Sequence, residues 1–316
     1  MTFFSRRLGL VAAAALLIPL GLAGCSSDSD TASSSSSGPA ANAPACPTTP
    51  VNVVVSVDQW GDIVSELGGK CANVKTIVAS SSVDPHDFEP SPADGAAFTD
   101  AQMVVVNGAD YDAWASKLAA ASAPDAPVVN AAQITDTADG ANPHLWYSPT
   151  AVTKVADAVT EGLSKISPDA QAYFATQRAT FTDSLSEYND LIAKIKAGAS
   201  GKTFAATEGV FDYMAQAVGL VDKTPAGFAA AAANESDPSP ADLAAFIKTL
   251  SDRQVDVLIY NTQTEGSTPE QIRTAAESAG VPVVEVTETV PPGQNSFESW
   301  QVDQLTSLAK ALGVQS

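Results

Sequence analysis

Apolar runs of strand length alternate with amphipathic runs of helical length along most of the chain. Asn52-Val53-Val54-Val55-Ser56-Val57 reads as a buried strand, residues 59–67 as a helix stopped by Gly68-Gly69, and residues 74–79 as a second strand. Ser91-Pro92-Ala93-Asp94 has the form of an N-cap, a proline at the first helical position and an acid in the first turn. A strand over 103–107, a helix over 111–121 and a short strand over 127–130 follow. Four strands with helices between them argue for a mostly parallel sheet covered on both faces.

Residues 149–196 carry a helical pattern broken at Ser167-Pro168-Asp169. Beyond the break, Tyr173, Phe174, Phe181, Leu185, Tyr188, Leu191, Ile192 and Ile195 recur at helical spacing and form one apolar stripe. As one helix, residues 168–196 would be about 43 Å long, enough to run along two lobes. The strand–helix alternation then resumes, with strands over 203–207, 255–260 and 283–286 and helices over 210–219, 239–250, 269–279 and 297–312. Residues 221–238 are alanine-rich and poorly periodic and read as loop. The expected fold class is α/β, with two lobes of mostly parallel sheet joined by one long helix. The expected boundaries are an N-terminal lobe over 48–148, a helical segment over 149–198 and a C-terminal lobe over 199–316.

The N-terminus changes the compartment. Residues 1–25 read as a secretory leader, with Arg6 and Arg7 ahead of an apolar stretch too short for a stable membrane span. The leader ends in Leu22-Ala23-Gly24-Cys25, which resembles a bacterial lipobox, so Cys25 is expected to carry a lipid. The Ser/Ala-rich residues 26–47 cannot bury a core and read as a flexible tether. The expected location is extracytoplasmic, on the outer face of the cell membrane. There, the remaining cysteine pair, Cys46 and Cys71, reads as a disulfide. The formal net charge is −20, which disfavours nucleic acid and other anionic partners and concentrates cations.

Candidate chemistry lies beyond the carboxyl ends of the strands, where open parallel sheets bind ligands. The chain has two histidines, each directly after a proline. His86 follows the second strand and His144 the fourth; Glu208 and Glu288 follow strands of the second half. Two imidazoles from one lobe can meet two carboxylates from the other across a cleft, a mixed N/O set suited to a divalent cation. Glu285 competes with Glu288 for the fourth position. No His-Glu-x-x-His pattern and no serine or cysteine nucleophile motif is present, so no enzyme is expected.

At these residues the chain resembles the cluster A-I solute-binding proteins of bacterial zinc and manganese ABC importers. The resemblance rests on Asp84-Pro85-His86-Asp87-Phe88-Glu89-Pro90, on Asn107-Gly108-Ala109-Asp110, on Asn142-Pro143-His144-Leu145-Trp146, on Glu208-Gly209-Val210-Phe211-Asp212-Tyr213 and on Thr287-Glu288-Thr289. It implies two lobes bridged by a long rigid helix, with a metal held between them by His86, His144, Glu208 and Glu288. It implies as partners the membrane subunits of an ABC permease, and a monomer anchored through Cys25. Asn142 stands where the family usually has Asp, which is expected to loosen the support of His144. Zinc-type members usually carry His at the position of Glu208, and manganese-type members often carry Glu. An oxygen-rich site also suits Mn²⁺, so manganese is the expected cargo, with zinc second. The alternative reading is a surface adhesin or interaction lipoprotein with a structural metal.

Overall fold

Valine-rich strands make the centre of the first lobe. In this computed structural model, which describes residues 45–79, 88–264 and 266–315, β1 (Val51–Val57) lies between β2 (Ala72–Val78) and β3 (Met103–Val106). β4 (Val128–Asn130) adds to β3, giving the order β2-β1-β3-β4 with every pair parallel. The connections are α1 (Asp58–Gly68), α2 (Pro92–Ala97) and α3 (Ala113–Ser122), and the four-residue α4 (Ala131–Ile134) follows β4. At α2 the Ser91 hydroxyl accepts from the Asp94 amide and the Asp94 carboxylate accepts from the Ser91 amide, so the capping signal is realised. The leader, Cys25, the tether up to residue 44 and the His86 loop lie outside the described residues.

Three helices carry the chain onward: α5 (Pro149–Ile166), α6 (Gln171–Ser184) and α7 (Ser186–Ala199). The second lobe repeats the plan of the first. Its strands β5 (Thr203–Ala206), β6 (Val221–Asp222), β7 (Val257–Asn261) and β8 (Val283–Val286) form a parallel sheet of order β6-β5-β7-β8. They are linked by α8 (Asp212–Val218), α9 (Ala226–Ala232), α10 (Pro240–Ser251) and α11 (Ser267–Ala279), and α12 (Phe297–Ala311) closes the chain.

Strand alternation sorts the core. Val53 and Val55 of β1, Met103 and Val105 of β3, Phe204 and Ala206 of β5, and Val257 and Ile259 of β7 share one apolar cluster with Phe174, Phe181, Tyr188 and Ile195 of the linking helices. The intervening residues point the other way, into a smaller cluster in each lobe: Val54 and Val104 in the first, Ala205 and Leu258 in the second. Each sheet is thus buried on both faces, as a parallel sheet requires. The linking helices fill the shared cluster, so the two lobes are packed through continuous apolar contacts.

Two expectations are corrected. The single long helix is broken at Leu185, where the backbone leaves helical geometry (φ −73°, ψ 1°). The Ser184 hydroxyl lies 2.9 Å from the Phe181 carbonyl and also against the Glu298 carboxylate, while the Leu185 amide bond to Phe181 stretches to 3.3 Å. A hydroxyl that competes for a helix carbonyl is a known cause of a bend. The stretch 221–238 is not all loop, since it holds β6 and α9. Six of the seven residues in α9 are Ala or Gly, so it shows no apolar–polar contrast; alanine propensity and the packing of Phe228 on Phe246, at 4.7 Å between rings, make it a helix.

Cys46 and Cys71 are bonded, tying the segment before β1 to the turn before β2 across a separation of 25 residues. Closing such a loop stabilises the folded chain by about 3 kcal/mol in the chain-entropy description. Replacing both cysteines by Ser is expected to lower the unfolding free energy by about that amount in a denaturant titration. An unchanged transition midpoint would contradict the assignment of a stabilising role.

Candidate metal centre

The loop after β4 is pinned from beneath before it presents His144. Asn107 directly follows β3 and is fully buried; its amide donates to the Pro143 carbonyl at 2.9 Å and its Oδ1 accepts from the Trp60 indole at 3.0 Å. The turn after Asn107 holds three left-handed residues in succession, Gly108, Ala109 and Asp110. Only glycine suits the first, because a Cβ there would fall 2.4 Å from Asn130 Oδ1. The Asp112 carboxylate closes the turn by accepting from the amides of Asn107 and Gly108.

His144 is 4% exposed. Its Nδ1 lies 2.8 Å from Asn142 Oδ1, which also accepts from the His144 amide. The Asn142 amide nitrogen meets two acceptors, the Gly209 carbonyl at 2.6 Å and the Asp212 carboxylate at 3.3 Å, so the orientation of the side chain is fixed. Oδ1 therefore faces the ring, Nδ1 carries the proton, and the Nε2 lone pair points into the cleft. The expectation that Asn142 loosens His144 is corrected: Asn142 clamps the ring, and the Asp212 carboxylate behind it supplies the negative charge that an aspartate would have placed one bond closer.

Two carboxylates of the second lobe meet that nitrogen. Glu208 follows β5 and Glu288 follows β8, both at carboxyl ends of strands. Glu208 Oε1 is 3.8 Å and Glu288 Oε2 3.7 Å from His144 Nε2, too long for hydrogen bonds. Atoms so placed can share an ion about 2.0–2.2 Å from each. Glu208 Oε2 is occupied by Asn261 Nδ2 at 2.8 Å and the Thr264 hydroxyl at 2.7 Å. The same Asn261 nitrogen donates to Glu288 Oε1 at 3.0 Å, and the Tyr111 hydroxyl donates to Glu288 Oε2 at 3.3 Å. The backbone of the Glu288 turn is held as firmly. Its amide donates to Gln263, its carbonyl accepts from Gln59 at 2.6 Å, and the Thr287 carbonyl accepts from the Tyr147 hydroxyl at 2.7 Å. Glu285 lies elsewhere, half exposed and paired with Arg273 at 2.7 Å. His86 lies outside the described residues.

Electrostatics follow from the confinement. Burial, then the charge of Glu288, raises the Glu208 carboxyl above its ordinary range, against a smaller lowering by His144. Burial alone would lower the His144 ring, but Glu288 and Glu208 beside it outweigh that and raise it. A cavity of about 270 Å³ adjoins the group, with Asn142, His144, Glu208, Asp212, Asp222 and Glu235 among its lining and the alanines of α9 as an apolar wall. An acidic mouth of this kind focuses cations. The residue pattern alone did not single out Asn261, Tyr111, Gln263 or Thr264. Asn261 was within reach, since it ends β7 and the strand-end rule that picked Glu208 and Glu288 applies equally there.

Comparison with known proteins places this geometry in context. A profile of the family described as zinc-uptake complex component A, periplasmic, matches residues 53–311. The manganese-binding lipoprotein MntA of Halalkalibacterium halodurans is 28% identical over 179 residues, covering 54% of this chain and 58% of that protein. The high-affinity zinc uptake system protein ZnuA of Bacillus subtilis is 26% identical over 203 residues, covering 58% and 62%. The match thus spans less than two thirds of either relative. The structure of the solute-binding protein FpvC from Pseudomonas aeruginosa in complex with Mn²⁺ has the same fold, with a TM-score of 0.71 at 22% identity over 84% of this chain and 99% of that one.

The geometry separates the two candidate glutamates. Glu288→Ala is expected to lower divalent-metal affinity by roughly tenfold or more in a chelator-competition titration, and Glu285→Ala to leave it unchanged. Asn261→Ala, which releases both carboxylates from their shared donor, is expected to weaken binding by roughly tenfold while the fold persists by circular dichroism. A larger loss at Glu285 than at Glu288 would refute the arrangement.

Proposed function

The chain belongs to the periplasmic zinc-uptake component A family, and from that premise we propose that it captures a divalent transition metal outside the cytoplasm and delivers it to an ABC permease. It is a binding protein rather than an enzyme. The observation that carries the proposal is the meeting of His144 Nε2, from one lobe, with Glu208 Oε1 and Glu288 Oε2, from the other. We assign His86, His144, Glu208 and Glu288 as the ligands, His86 by its motif alone. A metal at this point draws on both lobes at once, so the cargo state of the protein is expressed in how the lobes meet, which is what a permease can read.

The residues behave as a set that waits for a cation. Nδ1 of His144 is committed to Asn142, which leaves Nε2 as the donor. Glu208 keeps Oε1 toward the cleft while Oε2 is held by Asn261 and Thr264. Glu288 is held at both oxygens by donors that are not charged, Asn261 and Tyr111, so its negative charge is oriented without being neutralised. When the ion enters, it replaces the mutual repulsion of the two glutamates by attraction to a common centre.

Manganese is the cargo this reading favours, with zinc second. Carboxylates from Glu208 and Glu288 make an oxygen-rich site, and each can bind through one or both oxygens, which suits the higher coordination that Mn²⁺ accepts. Zinc is expected to bind more tightly in isolation, following the Irving–Williams order. The remaining assignments complete the reading: a leader over 1–25, a lipid on Cys25 holding the protein to the outer face of the membrane, a tether over 26–47, lobes over 48–148 and 199–316 with the helical segment 149–198 between, and a monomer docking on permease membrane subunits.

Metal-limited uptake tests the cargo. Cells lacking the protein are expected to lose manganese accumulation, and the gene carrying Glu208→Ala to fail to restore it. A deficit in zinc accumulation alone, with manganese uptake unchanged, would refute manganese and leave metal delivery standing.

A further inference from the structure

A second carboxylate group lies at the seam between α1 and α12, apart from the residues that face His144. Asp58, Asp62 and Glu66 fall at successive four-residue steps and so line one face of α1. That face meets the chain leading into α12. Asp58 accepts from the Val290 amide at 3.4 Å, and Asp62 accepts from the Phe297 amide, a first-turn donor that the helix cannot satisfy itself. Glu298, the second residue of α12, is 6% exposed. Its Oε1 lies against the Ser184 hydroxyl, and its Oε2 is buried with no hydrogen-bond partner. Glu66 Oε1 is buried and unpartnered as well. One oxygen each from Asp62, Glu66 and Glu298 lies within 4.8 Å of the others.

Three carboxylates in such a space need a proton or a cation among them. None of the ion pairs among the described residues reaches them. Burial and then the charge of Glu298 push the Glu66 carboxyl up to about 9, and burial pushes Asp62 up to about 6. A proton shared by Glu66 and Glu298 would close them to a short O–H···O bond, about 2.5–2.7 Å. The two carboxyls are in hydrogen-bond contact, so a proton holds the pair until a cation displaces it. Oxygens grouped within 4.8 Å of one another can range around one ion, and calcium holds such ligands at about 2.3–2.6 Å in flexible geometry. The donor set is all oxygen, as a hard cation prefers, and the adjoining cavity of about 520 Å³ leaves room for water to complete the coordination.

We propose that Asp62, Glu66 and Glu298, with the Ser184 hydroxyl, form a second cation site that takes Ca²⁺ and braces α1 of the first lobe against α12 of the second. The ion is structural and separate from the cargo, and it acts at the place where the Ser184 hydroxyl also breaks the linking helix before Leu185.

The test is a calcium titration of the intact, chelator-stripped protein, followed by thermal unfolding and by calorimetry. Calcium near 1 mM, the range of extracellular calcium modules, is expected to raise the unfolding temperature with one ion bound at this site. Glu298→Gln is expected to weaken that binding by roughly tenfold or more and to remove the rise in unfolding temperature. Glu66→Gln is expected to do the same and serves if Glu298→Gln does not fold. Glu208→Gln is expected to keep the full calcium response while losing affinity for Mn²⁺ and Zn²⁺, so failure of either site is read independently of the other. No calcium response in the unsubstituted protein, or a response retained by both glutamine variants at the seam, would overturn the proposal.

Discussion

Two carboxylates that repel one another, confined with the His144 imidazole, set the terms for the rest of this molecule. At an effective dielectric of 20, two unit charges 4 Å apart oppose each other by about 4 kcal/mol. Left to themselves, Glu208 and Glu288 would turn away to solvent. They do not, because Asn261 donates one nitrogen to both and because Thr264 and Tyr111 take up further oxygens. Those donors are uncharged, so they aim the carboxylates without cancelling them. Beneath, Gln263, Gln59 and Tyr147 hold the backbone of the Glu288 turn. The scaffold stabilises an arrangement that, in the function proposed, a divalent cation converts from repulsive to attractive.

The fold supplies the rigidity this needs. Each sheet has the same parallel order, with the first strand of its lobe flanked by the second and third. That order puts the carboxyl ends of β5, β7 and β8 side by side, and with them Glu208, Asn261 and Glu288. In the first lobe, Asn107 directly after β3 reaches the Pro143 carbonyl and so sets the height of His144. The apolar cluster common to both lobes runs through the linking helices, with Phe181 and Tyr188 beside Phe204 and Trp300. The site is therefore referenced to strand ends and helices rather than to free loops.

Much of this was legible in the residues, because period and punctuation report local structure directly. The runs at Val53–Val55 and Met103–Val105 form strands, and Ser91 caps the helix that Pro92 begins. Glu208 and Glu288 were legible as candidates because each lies just beyond the carboxyl end of an apolar strand, and His144 because it follows a proline in a polar loop after the fourth strand. α9 was not legible, since a run of alanines has no face to detect. Nor was the break at Leu185, which depends on Ser184 meeting Glu298 across a separation of 114 residues. Asn142 was misjudged for the same reason: its worth lies in Gly209 and Asp212, far along the chain, and no local pattern records that. Sequence shows which residues end a strand; only the fold shows which strand ends meet.

The most direct measurement is a crystal structure of the Mn²⁺-loaded protein with anomalous scattering collected to locate the ion. The account predicts an anomalous peak within bonding distance of His144 Nε2, Glu208 Oε1 and Glu288 Oε2, with His144 Nδ1 still on Asn142. A peak that lies away from His144, or one coordinated by Glu285 in place of Glu288, would contradict it.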